Sequence, residues 1–239
     1  MKTGTRVITA MNRKGGCGKT TLIRGLASAA VATGNKVTIF DTDGSESLSA
    51  WKQRSQEAGD WNEMVNLITT LDAKKVERGV EAIFAQPQED HLILIDTFGG
   101  GAAPKAQDLI ADLSHLIIVP MMLSEDDLAE TLATGQWYIN LRKRVDNPEN
   151  IAPFFVLGSR IPAQISVFER EILQEAMSKL PVLDEFVQYR NAYLRMGNGV
   201  LGDVISNMRN RANAEHIKDA LDEMTELLRR FDEIIKENE

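Results

Sequence analysis

The sequence predicts an α/β fold: a doubly wound, mainly parallel sheet with helices on both faces. Three observations predict it. Runs such as "VTIFD", "HLILID" and "HLIIVP" are almost wholly apolar, as strands buried on both faces must be. Longer segments with helical apolar spacing lie between them. The two kinds of segment alternate along the whole chain, the order a parallel sheet with crossover helices needs.

Taken in order, Arg6–Met11 is the first strand. Lys19–Thr33 is a helix that stops at Gly34. Val37–Asp41 is the second strand and Ser47–Ala58 a second helix. "MVNLITT" is a further strand of weaker pattern. Asp72–Ala85 carries Val76, Val80 and Ile83 at helical spacing and ends before Pro87. His91–Asp96 and His115–Pro120 are central strands. Ser124–Val145 is a long helix whose start, Ser124 followed by Glu125, Asp126 and Asp127, places a hydroxyl cap and acids at the positive end of the helix dipole. Pro153–Gly158 is a strand, Val167–Lys179 a helix, Pro181–Phe186 the last strand and Ala212–Lys236 the last helix. No repeat or linker interrupts the pattern, so residues 1–239 are expected to form a single domain.

Composition narrows the function classes. The chain has 239 residues, 43% hydrophobic, enough to bury a substantial core. Its formal charge of -8 repels nucleic acid and anionic membranes, so contact with either needs a local basic patch. A single cysteine, Cys17, excludes an intrachain disulfide and an iron–sulfur cluster held by this chain's own thiolates. No apolar run reaches the length of a signal peptide core or a membrane span, so a cytoplasmic protein with no transmembrane segment is expected.

The chemistry is concentrated in "MNRKGGCGKTT", Met11–Thr21, between the first strand and the first helix. That setting is the one a phosphate-binding loop requires. Glycines let backbone N–H groups turn inward around an anion, and the helix presents its positive end to the same anion. Lys19 would reach the terminal phosphates and Thr20 would offer its hydroxyl to Mg²⁺. Asp41 and Asp43 end the second strand, and Asp96 ends another. Strand C-ends are where open parallel sheets hold ligands, and an acid there suits Mg²⁺ bound through water.

The loop departs from the general phosphate-loop pattern at Arg13 and matches a narrower one, K-G-G-x-G-K-[ST]. In this it resembles the deviant Walker ATPases of the ParA/MinD group, and the resemblance covers nearly the whole chain. It implies a P-loop ATPase that binds ATP and Mg²⁺ and dimerises around them. Gly15, Gly16, Cys17, Gly18, Lys19, Thr20 and Thr21 would cradle the phosphates. Lys14 would cross a dimer interface to the partner's nucleotide, and cations between two negatively charged ATP faces would make dimerisation depend on the triphosphate. Asp43 would position the attacking water, Asp41 would organise the Mg²⁺ and lysine region, and Thr20 with Asp96 would hold Mg²⁺. Relatives read D-T-P-P after the Asp96 strand; here the chain reads Asp96, Thr97, Phe98, Gly99, Gly100, Gly101, a glycine-rich switch segment. Adenine would lie between "VLGSRIP" with Arg160 and the loop carrying Tyr189, Arg190 and Asn191. The Cys17 thiol would be incidental.

Within the group, two readings stand close. The chain is similar to VirC-type ATPases of conjugative and T-DNA-type transfer in "DTFGG", in "IVPMMLSEDDLAETLATGQWYINL" and in "VLGSRIP". It also resembles small ParA partition ATPases, where Trp51 echoes a tryptophan after the Asp-x-Asp. Both imply a slow, partner- or DNA-stimulated ATPase with non-specific DNA and a DNA-bound adaptor, relaxase or centromere-binding protein as partners. The alternatives are a MinD-like positioning regulator and a metabolic ATP-dependent synthetase of the same fold. The last helix is amphipathic, but its polar face carries Glu223, Glu226, Asp232, Glu233 and Glu237, the wrong charge for a membrane. It is expected to pack on the sheet or on a dimer partner. DNA would be met by a cluster drawn from Arg190, Arg195, Arg209, Arg211 and Lys218, with Arg142, Lys143 and Arg144 as further candidates.

Overall fold

The protein's structure, a computed structural model, describes residues 4–86, 90–97, 104–208 and 214–238. Among these, seven strands form one sheet: β1 (Thr5–Ala10), β2 (Lys36–Asp41), β3 (Val65–Thr69), β4 (His91–Asp96), β5 (Leu116–Met121), β6 (Phe154–Ile161) and β7 (Val182–Gln188). Every pairing is parallel, in the order β3-β2-β4-β1-β5-β6-β7. The expected fold class is the one observed.

The helices that carry the chain between strands are α1 (Lys19–Ala32), α2 (Ser47–Glu57), α3 (Ala73–Phe84), α4 (Pro104–Leu113), α5 (Glu125–Arg144) and α6 (Val167–Lys179). After β7 come α7 (Ala192–Arg195), α8 (Leu201–Asn207) and α9 (Glu215–Glu237). Alternate strand side chains feed two cores. Ile8, Ile39, Leu94 and Ile118 face α1, α2 and α9, while Val7, Phe40, Ile95 and Val119 face α3, α4, α5 and α6. This is why the central strands read as continuous apolar runs.

Local signals set the boundaries. Gly34 at φ +82 follows α1. Asp72 caps α3 by accepting from Lys74 N at 3.0 Å, and Ser124 caps α5 by accepting from Asp127 N at 3.2 Å. The structure differs from the sequence reading in three places. It adds the helix α4, which Pro104 opens as a favoured first-turn residue. The strand β6 runs to Ile161: Gly158 lies inside it, paired with Met121 of β5 and Phe186 of β7, and a Cβ there would come within 3.2 Å of Ile161 and Phe186. The segment after β7 folds into two short helices over a small core of Ala192, Met196, Leu201 and Ile217.

The last helix uses its apolar stripe internally. Met224, Leu227, Leu228, Phe231, Ile234 and Ile235 of α9 are buried in the core shared with α1. Of the two placements open to that stripe, the structure shows the one on the sheet side. No described helix is long and apolar enough to cross a membrane.

The burial of Phe231, fully enclosed between α1 and the sheet, sets a stability test. Phe231→Ala is expected to cost about 3–5 kcal/mol. Glu237→Gln, at the exposed end of the same helix, should stay within about 0.5 kcal/mol of the parent. Urea denaturation followed by circular dichroism reads both.

Candidate functional site

The strand β1 lies between β4 and β5, and the chain leaves it toward β2 on one side while later strands add on the other. This is the switch point of a doubly wound sheet, where a crevice opens at the strand C-ends. The loop from Met11 to Gly18 sits there. Asn12, buried at 1% exposure, anchors its start: the side-chain amide donates to Pro120 O at 2.8 Å and to Thr131 Oγ1 at 3.1 Å, and Oδ1 accepts from Lys14 N at 2.9 Å. The loop is thereby tied to β5 and α5. Gly16 and Gly18 take φ of +79 and +106. A Cβ at Gly18 would lie 2.3 Å from Ser159 Oγ, so only glycine lets the loop pass the end of β6.

The two lysines behave differently. Lys19 is buried, and its ammonium folds into the loop, donating to Lys14 O at 2.8 Å. The Cys17 thiol donates to the same carbonyl at 3.3 Å, and burial pushes its pKa up. Lys14 instead points out of the loop to Asp126 Oδ2, 3.6 Å away in the first turn of α5, and Asp126 is exposed. Beside it Arg13 approaches Glu130 at 3.8 Å.

The carboxylates converge from neighbouring strands. Asp41 and Asp96 are register partners at the ends of β2 and β4, and both are 1% exposed. Thr20 Oγ1 donates to Asp96 Oδ2 at 2.7 Å. Burial raises the Asp96 pKa from 3.8 to about 7, with the Thr20 hydrogen bond opposing and Asp41 adding to the rise. Burial likewise raises Asp41, against the hydrogen bond it accepts from Asp43 N at 3.0 Å. Asp43 is half-buried and accepts from Ser45 N at 2.8 Å, a bond that shapes the turn leading to α2.

A cleft of about 420 Å³ is lined by Gly15, Gly16, Gly18, Lys19, Thr20, Thr21 and Asp43, with Arg160 at its edge. A second of about 190 Å³ adjoins it, sharing Gly18, Thr21 and Arg160 and adding Leu22, Leu157, Tyr189, Arg190 and Tyr193. Together they have the size of a ligand pocket. Arg160 is exposed in the left-handed region at φ +55 between the two. Tyr189 is 66% exposed, its N–H donating to Ile161 O at 2.8 Å.

The residues present fit a hydrated divalent cation. Asp96 Oδ1 and Asp41 Oδ2 are buried oxygens without a hydrogen-bond partner. An isolated buried acceptor is costly, and a cation's water shell would satisfy both. Among the described residues no group of three or more His, Cys, Asp or Glu side chains could hold a metal by itself. One carboxylate, one hydroxyl and a ligand's own oxygens would make up the donor set here.

A family model described as VirC1 protein matches residues 5–237. The chain belongs to the VirC1 family. The virC1 protein of Rhizobium rhizogenes is 29% identical over 206 residues, covering 85% of this chain and 86% of that one. Among solved structures, the MinD cell division protein of Aquifex aeolicus superposes with a TM-score of 0.62 at 16% identity, covering 93% of this chain and 97% of that one. A Borrelia burgdorferi B31 protein described as a plasmid partition protein, bound to AMPPNP, gives 0.59 at 16%, covering 90% and 98%. These two establish a shared fold with ParA/MinD-type P-loop proteins.

In this VirC1-family chain the residues that the sequence singles out take definite places. The glycines, Lys19, Thr20, Thr21, Asp43 and Arg160 surround one cleft, and Asp41 and Asp96 stand behind Thr20. Phe98, Gly99, Gly100 and Gly101 lie outside the described residues, as do Arg209 and Arg211. Arg190, half-buried, pairs with Glu223 at 3.0 Å. Arg144 pairs with Asp108 at 3.1 Å. Arg142, Lys143, Arg195 and Lys218 are exposed.

Two further residues belong to the site, and sequence reasoning misses both. Asn12 looks like an ordinary turn residue in the sequence. Arg24, one turn beyond Thr20, donates to Ser47 O at 2.6 Å with its guanidinium 5.4 Å from the Trp51 ring centroid. It joins α1 to the start of α2, and burial lowers its pKa to about 10. Its helical spacing from Thr20 is the one sequence signal that points to it.

The buried Asp96 yields a prediction with a definite sign. Between pH 3.8 and about 7 the folded chain holds a proton that the unfolded chain has lost, so stability falls as pH rises through that window. Asp96→Asn has no such proton to lose. Without metal or nucleotide it should melt above the parent at pH 8, and the gap should close toward pH 4. The same variant should lose any Mg²⁺-dependent rise in melting temperature. Thermal melts over a pH series, with and without Mg·ATP, measure both effects.

Proposed function

We propose that this VirC1-family chain is an ATP-hydrolysing switch that dimerises around Mg·ATP and acts on DNA–protein cargo. The observation that carries the reading is the single cleft in which Lys19, Thr20 and Asp43 meet, with Asp96 hydrogen-bonded to Thr20. Family membership favours DNA transfer between cells over plasmid partition. The cargo partner would then be a relaxase or a DNA-bound adaptor in transfer, and a centromere-binding protein in partition.

The roles follow from position. Backbone N–H groups of Gly15 to Thr21 and the N-terminus of α1 receive the phosphates. Lys19 leaves its carbonyl partner for the phosphate charge. Mg²⁺ held by Thr20, and by Asp96 through water, would neutralise charge on the phosphate oxygens. Asp43 accepts a hydrogen bond from the attacking water and holds it in line. Asp41 accepts from Asp43 N and fixes that turn. The base enters the adjoining cleft between Arg160 and the Tyr189–Arg190 loop.

Lys14 is the dimer element of this reading. Its contact with the exposed Asp126 is a surface ion pair worth about 0–1 kcal/mol, which a partner's triphosphate can replace. Lys14→Ala should therefore retain Mg·ATP binding and lose the dimer seen with a non-hydrolysable analogue. Sedimentation velocity with calorimetry on the same samples decides; a variant that dimerises like the parent removes Lys14 from the interface. Asp43→Ala should bind ATP normally, hydrolyse it about 10²–10⁴-fold more slowly, and remain dimeric. Single-turnover hydrolysis at the parental rate would assign the water to another residue. Stimulation of turnover by DNA supports the cargo reading, whereas stimulation by a small carboxylic acid alone would favour a synthetase.

A further inference from the structure

The last helix carries a residue that the sequence places on a solvated acidic face and the structure does not. Glu223 of α9 has a side chain only 14% exposed. It accepts three hydrogen bonds: from Arg190 Nε to Oε2 at 3.0 Å, from the Tyr193 hydroxyl to Oε1, and from Gln188 N to Oε1 at 3.3 Å. All three donors belong to the segment that walls the smaller cleft, whose lining includes Gln188, Arg190 and Tyr193. One carboxylate thus gathers the end of β7, the loop after it and α7. The opposite wall is Leu157 with Ser159 and Arg160, and Tyr189 N bonded to Ile161 O keeps the two walls in step.

The same helix is keyed to the phosphate side. The residue after Glu223, Met224, packs against Gly25 of α1, where a Cβ would lie 2.6 Å from Met224 Sδ. That close approach fixes α9 against the helix that begins with Lys19 and Thr20. So α9 holds the wall of the smaller cleft through Glu223 and packs on α1 through Met224, by separate contacts.

We propose that Glu223 is the positioning residue of the base cleft, holding Gln188, Arg190 and Tyr193 so that the planar base of a nucleotide is recognised; this rests on the nucleotide reading above. The cleft walls supply apolar surface from Leu22, Leu157 and Leu194 for a flat ring. With its Nε taken by Glu223, Arg190 is held by one edge of its guanidinium fork, leaving the other edge for the ligand. Loss of Glu223 would leave the phosphate loop untouched, since none of its bonds reaches Gly15–Thr21.

The test separates base from phosphate. Affinities of Mg·ATP and of Mg·tripolyphosphate, which has no base, are measured by calorimetry for the parent, for Glu223→Gln and for Tyr193→Phe. Glutamine keeps the volume and removes the charge that Arg190 meets. The variant Tyr193→Phe removes one donor and leaves that charge in place. The expected result is a loss of about 10–100-fold in ATP affinity for Glu223→Gln, as for charge-assisted hydrogen bonds, with tripolyphosphate within about twofold of the parent. Tyr193→Phe should show a smaller loss of the same kind. Equal weakening of both ligands would make Glu223 a scaffold residue and overturn the proposal. Parental affinity for ATP would overturn it too, while the nucleotide reading stands. A parent that binds neither ligand would remove the nucleotide reading and this inference with it. If Glu223→Gln does not fold, Tyr193→Phe decides alone.

Discussion

Two carboxylates that end neighbouring strands in the same register govern this molecule. Asp41 and Asp96 are register partners, nearly inaccessible to solvent, and each leaves one oxygen without a partner. Burial first, and then the charge of neighbouring acids, raises both pKa values. A fold selected for stability alone would gain by replacing such a pair with apolar side chains. Here the surroundings combine one further oxygen donor with two side chains that carry positive charge of their own. Thr20 offers a hydroxyl, Lys19 stands in the loop above, and Arg24 lies behind. The two oxygens left without a partner are ones a hydrated cation would satisfy, and the two hydrophobic cores carry their cost.

The rest of the site can be derived from that constraint. To bring Thr20 onto Asp96, α1 must begin directly after a loop that turns over the C-end of β1. The turn needs left-handed backbone at Gly16 and Gly18, and it needs Asn12 to pin its start to β5 and α5. To keep α1 in place, α9 buries Met224 and Phe231 beside it. The turn after β2 is braced twice, by Asp43 on Asp41 and by Arg24 on Ser47. The exposed parts are the ones with a charge to exchange. Lys14 and Arg13 rest on acids of α5 in weak surface pairs.

Much of this is legible in the sequence because it depends on local signals. Apolar runs mark the central strands, and the expected bounds of His91–Asp96 and Val167–Lys179 match the structure to the residue. The cleft formed by the glycine-rich loop is legible because glycine, lysine and threonine at fixed spacing mark where β1 gives way to α1. What the sequence hides depends on partners far along the chain. Asn12 acquires its role from Pro120 and Thr131, more than a hundred residues away. Gly158 reads as a terminator, and only its pairing with Met121 and Phe186 on either side shows it inside β6. Glu223 reads as one more acid on a polar face until Arg190 and Tyr193 are seen to fold back on it. The same contact pairs Arg190 with an acid of α9, and Arg144, its side chain 55% exposed, pairs with Asp108.

If the orphaned oxygens of Asp41 and Asp96 serve a divalent cation brought with a triphosphate, that ion has a definite place in the cleft. Crystals grown with Mn²⁺ and a non-hydrolysable ATP analogue, with the metal located by its anomalous scattering, test this most directly. One strong peak is expected within bonding distance of Thr20 Oγ1 and of a phosphate oxygen, reaching Asp96 through water. A nucleotide bound in the cleft with the metal elsewhere, or with Thr20 still hydrogen-bonded to Asp96 and no metal beside it, would contradict it.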